Sequence, residues 1–94
     1  MKKYEIMYIL KANLDDANRN ELIGKLNDLL TVDGGTIDNV NEWGVRDLAY
    51  EINKEKKGYY VVVDAAVAAP AVLDEFSRRA KLNTNVLRHI VVVK

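Results

Sequence analysis

The order in which hydrophobic periodicity changes along the chain is the strongest constraint on its fold. Over residues 3–10 the period is two: Tyr4, Ile6, Tyr8 and Leu10 fall on one side of a ribbon, and Glu5, Met7 and Ile9 on the other. The period then becomes helical, with Leu22, Ile23, Leu26, Leu29 and Leu30 on one stripe. Asn13-Leu14-Asp15-Asp16 announces that helix, Asp15 being placed to cap its free amides and Asp16 to oppose the positive end of its dipole. Gly34-Gly35 is expected to stop it, because glycine takes the left-handed backbone needed beyond a last turn.

Two extended segments follow in succession. The first runs over Thr36–Ile52, with Gly44 in its middle predicting a bend or bulge. Lys54-Glu55-Lys56-Lys57-Gly58 reads as a charged turn into a second, over residues 59–67, rich in aromatic and β-branched side chains. Pro70 sits where a first helical turn tolerates it, ahead of a buried stripe of Leu73, Phe76 and Ala80 with Val72 beside it. Asp74–Arg78 and Glu75–Arg79 are favourable i,i+4 pairs on that helix, and Val86–Val93 is a last strand. The order β-α-β-β-α-β predicts an α+β, ferredoxin-like split βαβ fold. Right-handed crossovers would put both helices on one face of a four-stranded antiparallel sheet, with the second and fourth strands as edges and the other face open. With 94 residues in all, one domain spanning 1–94 is expected.

Charge and cysteine usage narrow the function classes. Fourteen Lys and Arg against fourteen Asp and Glu give no net charge, which argues against a free-standing, charge-driven nucleic-acid binder. The total hides an asymmetry: residues 1–47 carry 6 basic and 9 acidic side chains, and residues 48–94 carry 8 and 5. Without cysteine there is no disulfide framework, thiolate nucleophile or Cys-ligated metal, and one histidine excludes a His-pair site. The apolar stretch after Met1 is broken by Glu5 and no run approaches the ~20 residues of a membrane span. A cytoplasmic domain without cofactor is expected.

No arrangement of residues assembles an active site. Asp15-Asp16 and Asp74-Glu75 sit at helix starts, where capping and dipole compensation account for them. Ser77 is the only serine and lies mid-helix, outside any nucleophile elbow. Gly34-Gly35 follows a helix instead of opening one, so it cradles no phosphate. Acylphosphatases share the predicted topology, but where they carry a glycine-rich loop with an arginine this chain has Lys11-Ala12-Asn13-Leu14. RNA-recognition motifs share it too, and Lys57-Gly58-Tyr59-Tyr60 begins like their signature. Val61 and Asp64 then replace two of the aromatics that stack bases.

The most distinctive stretch is Trp43-Gly44-Val45-Arg46-Asp47-Leu48-Ala49-Tyr50-Glu51-Ile52-Asn53-Lys54. It closely resembles the W-G-x-R-x-L-A-Y-x-I-x-K segment of the bacterial small-ribosomal-subunit protein six family. The opening Lys3-Tyr4-Glu5-Ile6-Met7-Tyr8-Ile9-Leu10 and the closing Asn85-Val86-Leu87-Arg88-His89-Ile90-Val91-Val92-Val93-Lys94 resemble that family's first and last strands. Val45 and Asp47 stand where the family often has basic residues, and Glu51 where it often has proline.

The resemblance implies a ribosomal structural protein without catalysis, bound to the central (platform) domain of 16S ribosomal RNA as a heterodimer with small-subunit protein eighteen. Affinity for RNA follows the number of phosphates neutralised, so a basic partner would supply charge that this chain lacks. Lys2, Arg46, Arg88 and His89 are the candidates for RNA contacts, and Trp43, Tyr50 and Tyr60 for the partner protein. No membrane and no small-molecule substrate are expected. The competing reading is a homo-oligomeric ferredoxin-like module that regulates or binds a ligand between protomers.

Overall fold

The structure, a computed structural model, describes residues 2–94. Strand β1 (Lys2–Lys11) leads to helix α1 (Asp16–Leu30), a 3-10 turn at Val32–Gly34, and the long strand β2 (Thr36–Ile52). Strand β3 (Glu55–Val67), helix α2 (Pro70–Leu82) and strand β4 (Val86–Val93) complete the chain. The four strands form one antiparallel sheet in the order β2-β3-β1-β4. This is the α+β, split βαβ arrangement expected, with β2 and β4 at the edges.

Alternation along the central strands divides the sheet into two faces. Tyr4, Ile6, Tyr8 and Leu10 of β1 and Val61, Val63 and Ala65 of β3 are buried beneath the helices. Leu22, Ile23, Leu26 and Leu30 of α1 and Val72, Phe76 and Ala80 of α2 close over them. Leu73 is only partly buried, so Val72 takes the place in the stripe that periodicity assigns to Leu73. Phe76 fills the centre, with its ring 6.2 Å from that of Tyr8. The Tyr8 hydroxyl donates to Asn27 Oδ1 at 3.0 Å, which satisfies a polar group placed in the core. Burial, reinforced by Glu42, holds that phenol well above its ordinary pKa.

Several local details depart from expectation, each for an identifiable reason. Helix α1 ends at Leu30, before the glycine pair: the Thr31 amide and hydroxyl both donate to the Asp28 carbonyl, at 3.2 and 3.0 Å. The glycines serve the following turn instead, where Asp33 (φ 61°) and Gly34 (φ 91°) reverse the chain into β2. The charged turn lies earlier than predicted, at Asn53-Lys54, both with positive φ (49° and 66°). Ile52 pairs with Glu55 across it, so this is a two-residue hairpin loop with left-handed backbone at both positions. Residues Glu55–Gly58 therefore belong to β3. On α2, Glu75 alone receives both arginines, Arg78 Nη2 at 2.7 Å and Arg79 Nε at 2.8 Å. Those hydrogen bonds, Arg78 first, hold the Glu75 carboxyl down to about 2.

Candidate functional site

The uncovered face of the sheet is built from the alternate residues: Met7 and Ile9 of β1, Tyr60 and Val62 of β3, Arg88 and Ile90 of β4. The register places Ile9 between Tyr60 and Arg88, and Met7 between Val62 and Ile90. Ile90 and Val92 are about half exposed, as a face without a covering layer requires.

Two irregularities in β2 bring further side chains onto this face. Glu42 pairs with Val61 and Gly44 with Tyr60, so Trp43 is the extra residue of a β-bulge. Gly44 takes φ 84°, the left-handed geometry that the bulge needs and that glycine adopts without steric cost. The bulge lets the Trp43 ring lie flat on Tyr60, centroids 6.2 Å apart and planes within 5°. Arg46 extends along the same group, its guanidinium carbon 5.6 Å from the Trp43 ring centre.

The second irregularity lies between Asp47–Lys57 and Ile52–Glu55, where β2 uses more residues than β3. The surplus arches back over the sheet. Leu48 reaches Gly58, and a β-carbon at Gly58 would run into Ile9 Cγ2 and within 3.3 Å of Leu48 Cδ2. Gly58 is therefore glycine because Ile9 and Leu48 occupy the space of a side chain. Tyr50 continues across to the opposite edge, where its hydroxyl accepts a hydrogen bond from Arg88 Nη1 and its ring lies 5.3 Å from the Arg88 guanidinium. The arch and the sheet enclose a shallow apolar hollow of about 190 Å³, lined by Met7, Ile9, Leu48, Tyr50, Tyr60 and Ile90 among others.

Five of the seven residues singled out in sequence thus share one face: Trp43, Arg46, Tyr50, Tyr60 and Arg88. The other two stand apart. His89 points to the helix side, its ring 6.1 Å from Phe76 in an edge-to-face contact. Burial, and then the Lys81 charge, lower its pKa and favour the neutral ring. Lys2 pairs with Val67 at the far end of β1 and borders a recess formed with Pro70. Because β1 and β4 are antiparallel, Lys2 is at the opposite end of the sheet from Arg88, which pairs with Ile9. Sequence reasoning passed over Leu48 and, reading Gly58 as the end of a turn, missed the place of that glycine inside β3. Both shape the hollow, and a glycine directly before the aromatic and β-branched run was the available signal.

Among the described residues no cluster of three His, Cys, Asp or Glu could hold a metal ion, and no helix is long and apolar enough to cross a membrane. The face offers aromatic area, apolar depth and two guanidinium groups at its rim, which suit recognition and not bond making. The family model described as "Ribosomal protein S6" matches residues 3–93. The chain belongs to the ribosomal protein S6 family.

Two relatives are both described as small ribosomal subunit protein bS6. That of Alkaliphilus oremlandii is 47% identical over 92 residues, covering 98% of this chain and 96% of its own. That of Halalkalibacterium halodurans is 47% identical over 91 residues, covering 97% and 95%. The crystal structure of 30S ribosomal protein S6 from Thermotoga maritima superposes with a TM-score of 0.87 at 25% identity, over 99% of this chain and 87% of that one. As a member of the S6 family the chain is a structural protein of the small ribosomal subunit, associated with ribosomal RNA in the cytoplasmic ribosome, and not an enzyme.

Proposed function

We propose that the chain binds the central (platform) domain of 16S ribosomal RNA as a heterodimer with small-subunit protein eighteen, the open face of the sheet being shared between the two. Trp43, Tyr50 and Tyr60 take the protein, and Arg46 and Arg88 take RNA phosphate or sugar at the rim. The observation that carries this reading is the pairing of each arginine with an aromatic ring instead of a carboxylate: Arg46 over Trp43 and Arg88 over Tyr50. Among the described residues neither lies within ion-pair distance of an acidic side chain. Arg46, held on a ring, keeps its edge donors for a phosphate, and Arg88 keeps those other than the Nη1 that it gives to the Tyr50 hydroxyl, so each couples the two kinds of contact through one side chain. Lys2 and His89 have no part in this surface, Lys2 for its distance and His89 because its ring faces Phe76 on the helix side.

The zero net charge supports a shared target. A protein without excess positive charge releases few counterions on its own, so a basic partner supplies the bulk attraction while this chain supplies shape and placed cations. The test is a titration against a central-domain 16S fragment, with and without protein eighteen, at two salt concentrations. Tight binding only with the partner present is the expected result. Absence of binding in both arms overturns the reading.

A further inference from the structure

Charge is distributed unevenly along the open face. At the end where β1 begins, Lys3 is paired with Asp38 at 3.4 Å and Lys94 with Asp64 at 3.0 Å, and Glu5 stands directly opposite Asp64 in the ladder. Both of these cations are matched by a carboxylate, and Glu5 is left over. The end nearer the β2–β3 hairpin is different. Lys11 and Arg46 both pair with Gly58, one from each side, so the three form a single row across β1, β3 and β2. Strand spacing sets the two cationic residues ~10 Å apart at the backbone.

Alternation places Lys11 on the open face with Ile9, and Lys56 on it with Gly58 and Tyr60. Arg88 pairs with Ile9, two residues from Lys11. None of Lys11, Arg46, Lys56 and Arg88 has a carboxylate within 4.0 Å among the described residues. The nearby carboxylate of Asp47 is directed at Lys57, at 3.9 Å. Tyr50 and Ile52 line the apolar hollow and Glu51 between them does not.

Resting on the RNA reading above, we infer that the RNA backbone crosses the hairpin end of the open face, with Lys11 and Lys56 binding phosphates alongside Arg46 and Arg88. At the other end the spare Glu5 carboxylate repels phosphate and the matched lysines offer it no free charge, so the same face sets both the site and the direction of approach. Lysine suits such a contact, because a mobile ammonium binds phosphate without reading sequence and fixes register on the strand. An acidic protein segment is the competing occupant, and the experiment separates the two.

The measurement is the salt dependence of binding to the central-domain fragment, with protein eighteen present, for Lys11→Gln, Lys56→Gln, the double variant, and Lys25→Gln. Lys25 lies on α1 and is paired with Glu21 at 3.0 Å, which makes it the control. Each open-face variant should reduce the slope of log K against log salt by about one, and the double variant by about two. Affinity at low salt should fall roughly two- to five-fold per lysine, the scale of one exposed ion pair. Lys25→Gln should match the wild type, and Lys11→Arg with Lys56→Arg should keep the full slope. Unchanged slopes in Lys11→Gln and Lys56→Gln, with wild-type binding intact, overturn the placement alone. Weaker capture of protein eighteen with an unchanged slope assigns the lysines to the protein and also overturns it. Failure of the wild-type complex to bind RNA removes the parent reading and this one together.

Discussion

The two faces of the sheet come from the same strands and the same alternation, yet they are finished differently. On one face Ile6 and Tyr8 are fully buried under two helices, and Phe76 of α2 is fully buried against them. On the other, Trp43, Tyr50 and Ile90 remain about half exposed around a hollow that only the arch of β2 partly covers. Apolar character is similar on both sides of β1, with Ile6 and Tyr8 set against Met7 and Ile9. What differs is whether the chain itself brings a layer to cover it. A face that the chain covers contributes to stability, and a face that it leaves uncovered is available to a partner.

That contrast is sharpest in variants that act on one face only. Phe76→Ala empties the centre of the covered face and should destabilise the domain by about 3–5 kcal/mol, read as a lower denaturant midpoint at constant m. Gly58→Ala forces a methyl into the space held by Ile9 and Leu48. It should cost about 1–3 kcal/mol and dislodge the arch. Partner affinity should then fall by more than the loss of stability explains, in a titration under fully folded conditions.

Arg88→Ala should leave the denaturant midpoint nearly unchanged while weakening ribonucleoprotein assembly by about 1–2 kcal/mol, the loss of one charge-assisted hydrogen bond. Unchanged assembly affinity would remove Arg88 from the interface. The Trp43–Tyr60 stack should show a coupling of about 0.5–1.5 kcal/mol in a double-mutant cycle on stability. An uncoupled pair would mean that the rings serve only the partner.

The smallest effect concerns His89, the one histidine, whose ring lies on the covered side. Its pKa is lowered in the folded state, first by burial and then by Lys81. The unfolded chain therefore binds the proton more readily, and stability is complete above the ordinary histidine pKa. It declines as pH falls from that value through the lower folded one. His89→Gln should flatten the decline, which melts on either side of the histidine range would detect. An equal decline in the variant would show that His89 is not its source.

The pattern of apolar and polar residues was enough to place every strand and both helices, because each buried face repeats with the period of its element. Boundaries were legible where a side chain closes the backbone locally. Asp15 caps α1 as its position suggests, its carboxylate accepting from the Asn18 amide at 3.0 Å. They were less legible where two devices competed. The Thr31 hydroxyl ended α1 before the glycines could, and Asn53-Lys54 made the hairpin turn in left-handed backbone that glycine adopts at lower steric cost. The nearby Gly58 was needed elsewhere, under Ile9 and Leu48.

The sequence by itself determined the order of the elements, the two edges of the sheet, the uncovered face and the family, since local periodicity and a long specific segment carry that information. It also named Trp43, Arg46, Tyr50, Tyr60 and Arg88, as residue types suited to an interface. Tertiary structure alone decided that these five meet on one face while Lys2 and His89 do not. Residues adjacent in sequence, such as Arg88 and His89, leave a strand on opposite sides. Residues far apart, such as Tyr50 and Arg88, meet only because the surplus length of β2 folds back across the sheet. That surplus is a property of pairing register between strands, and register exists only once the strands have come together.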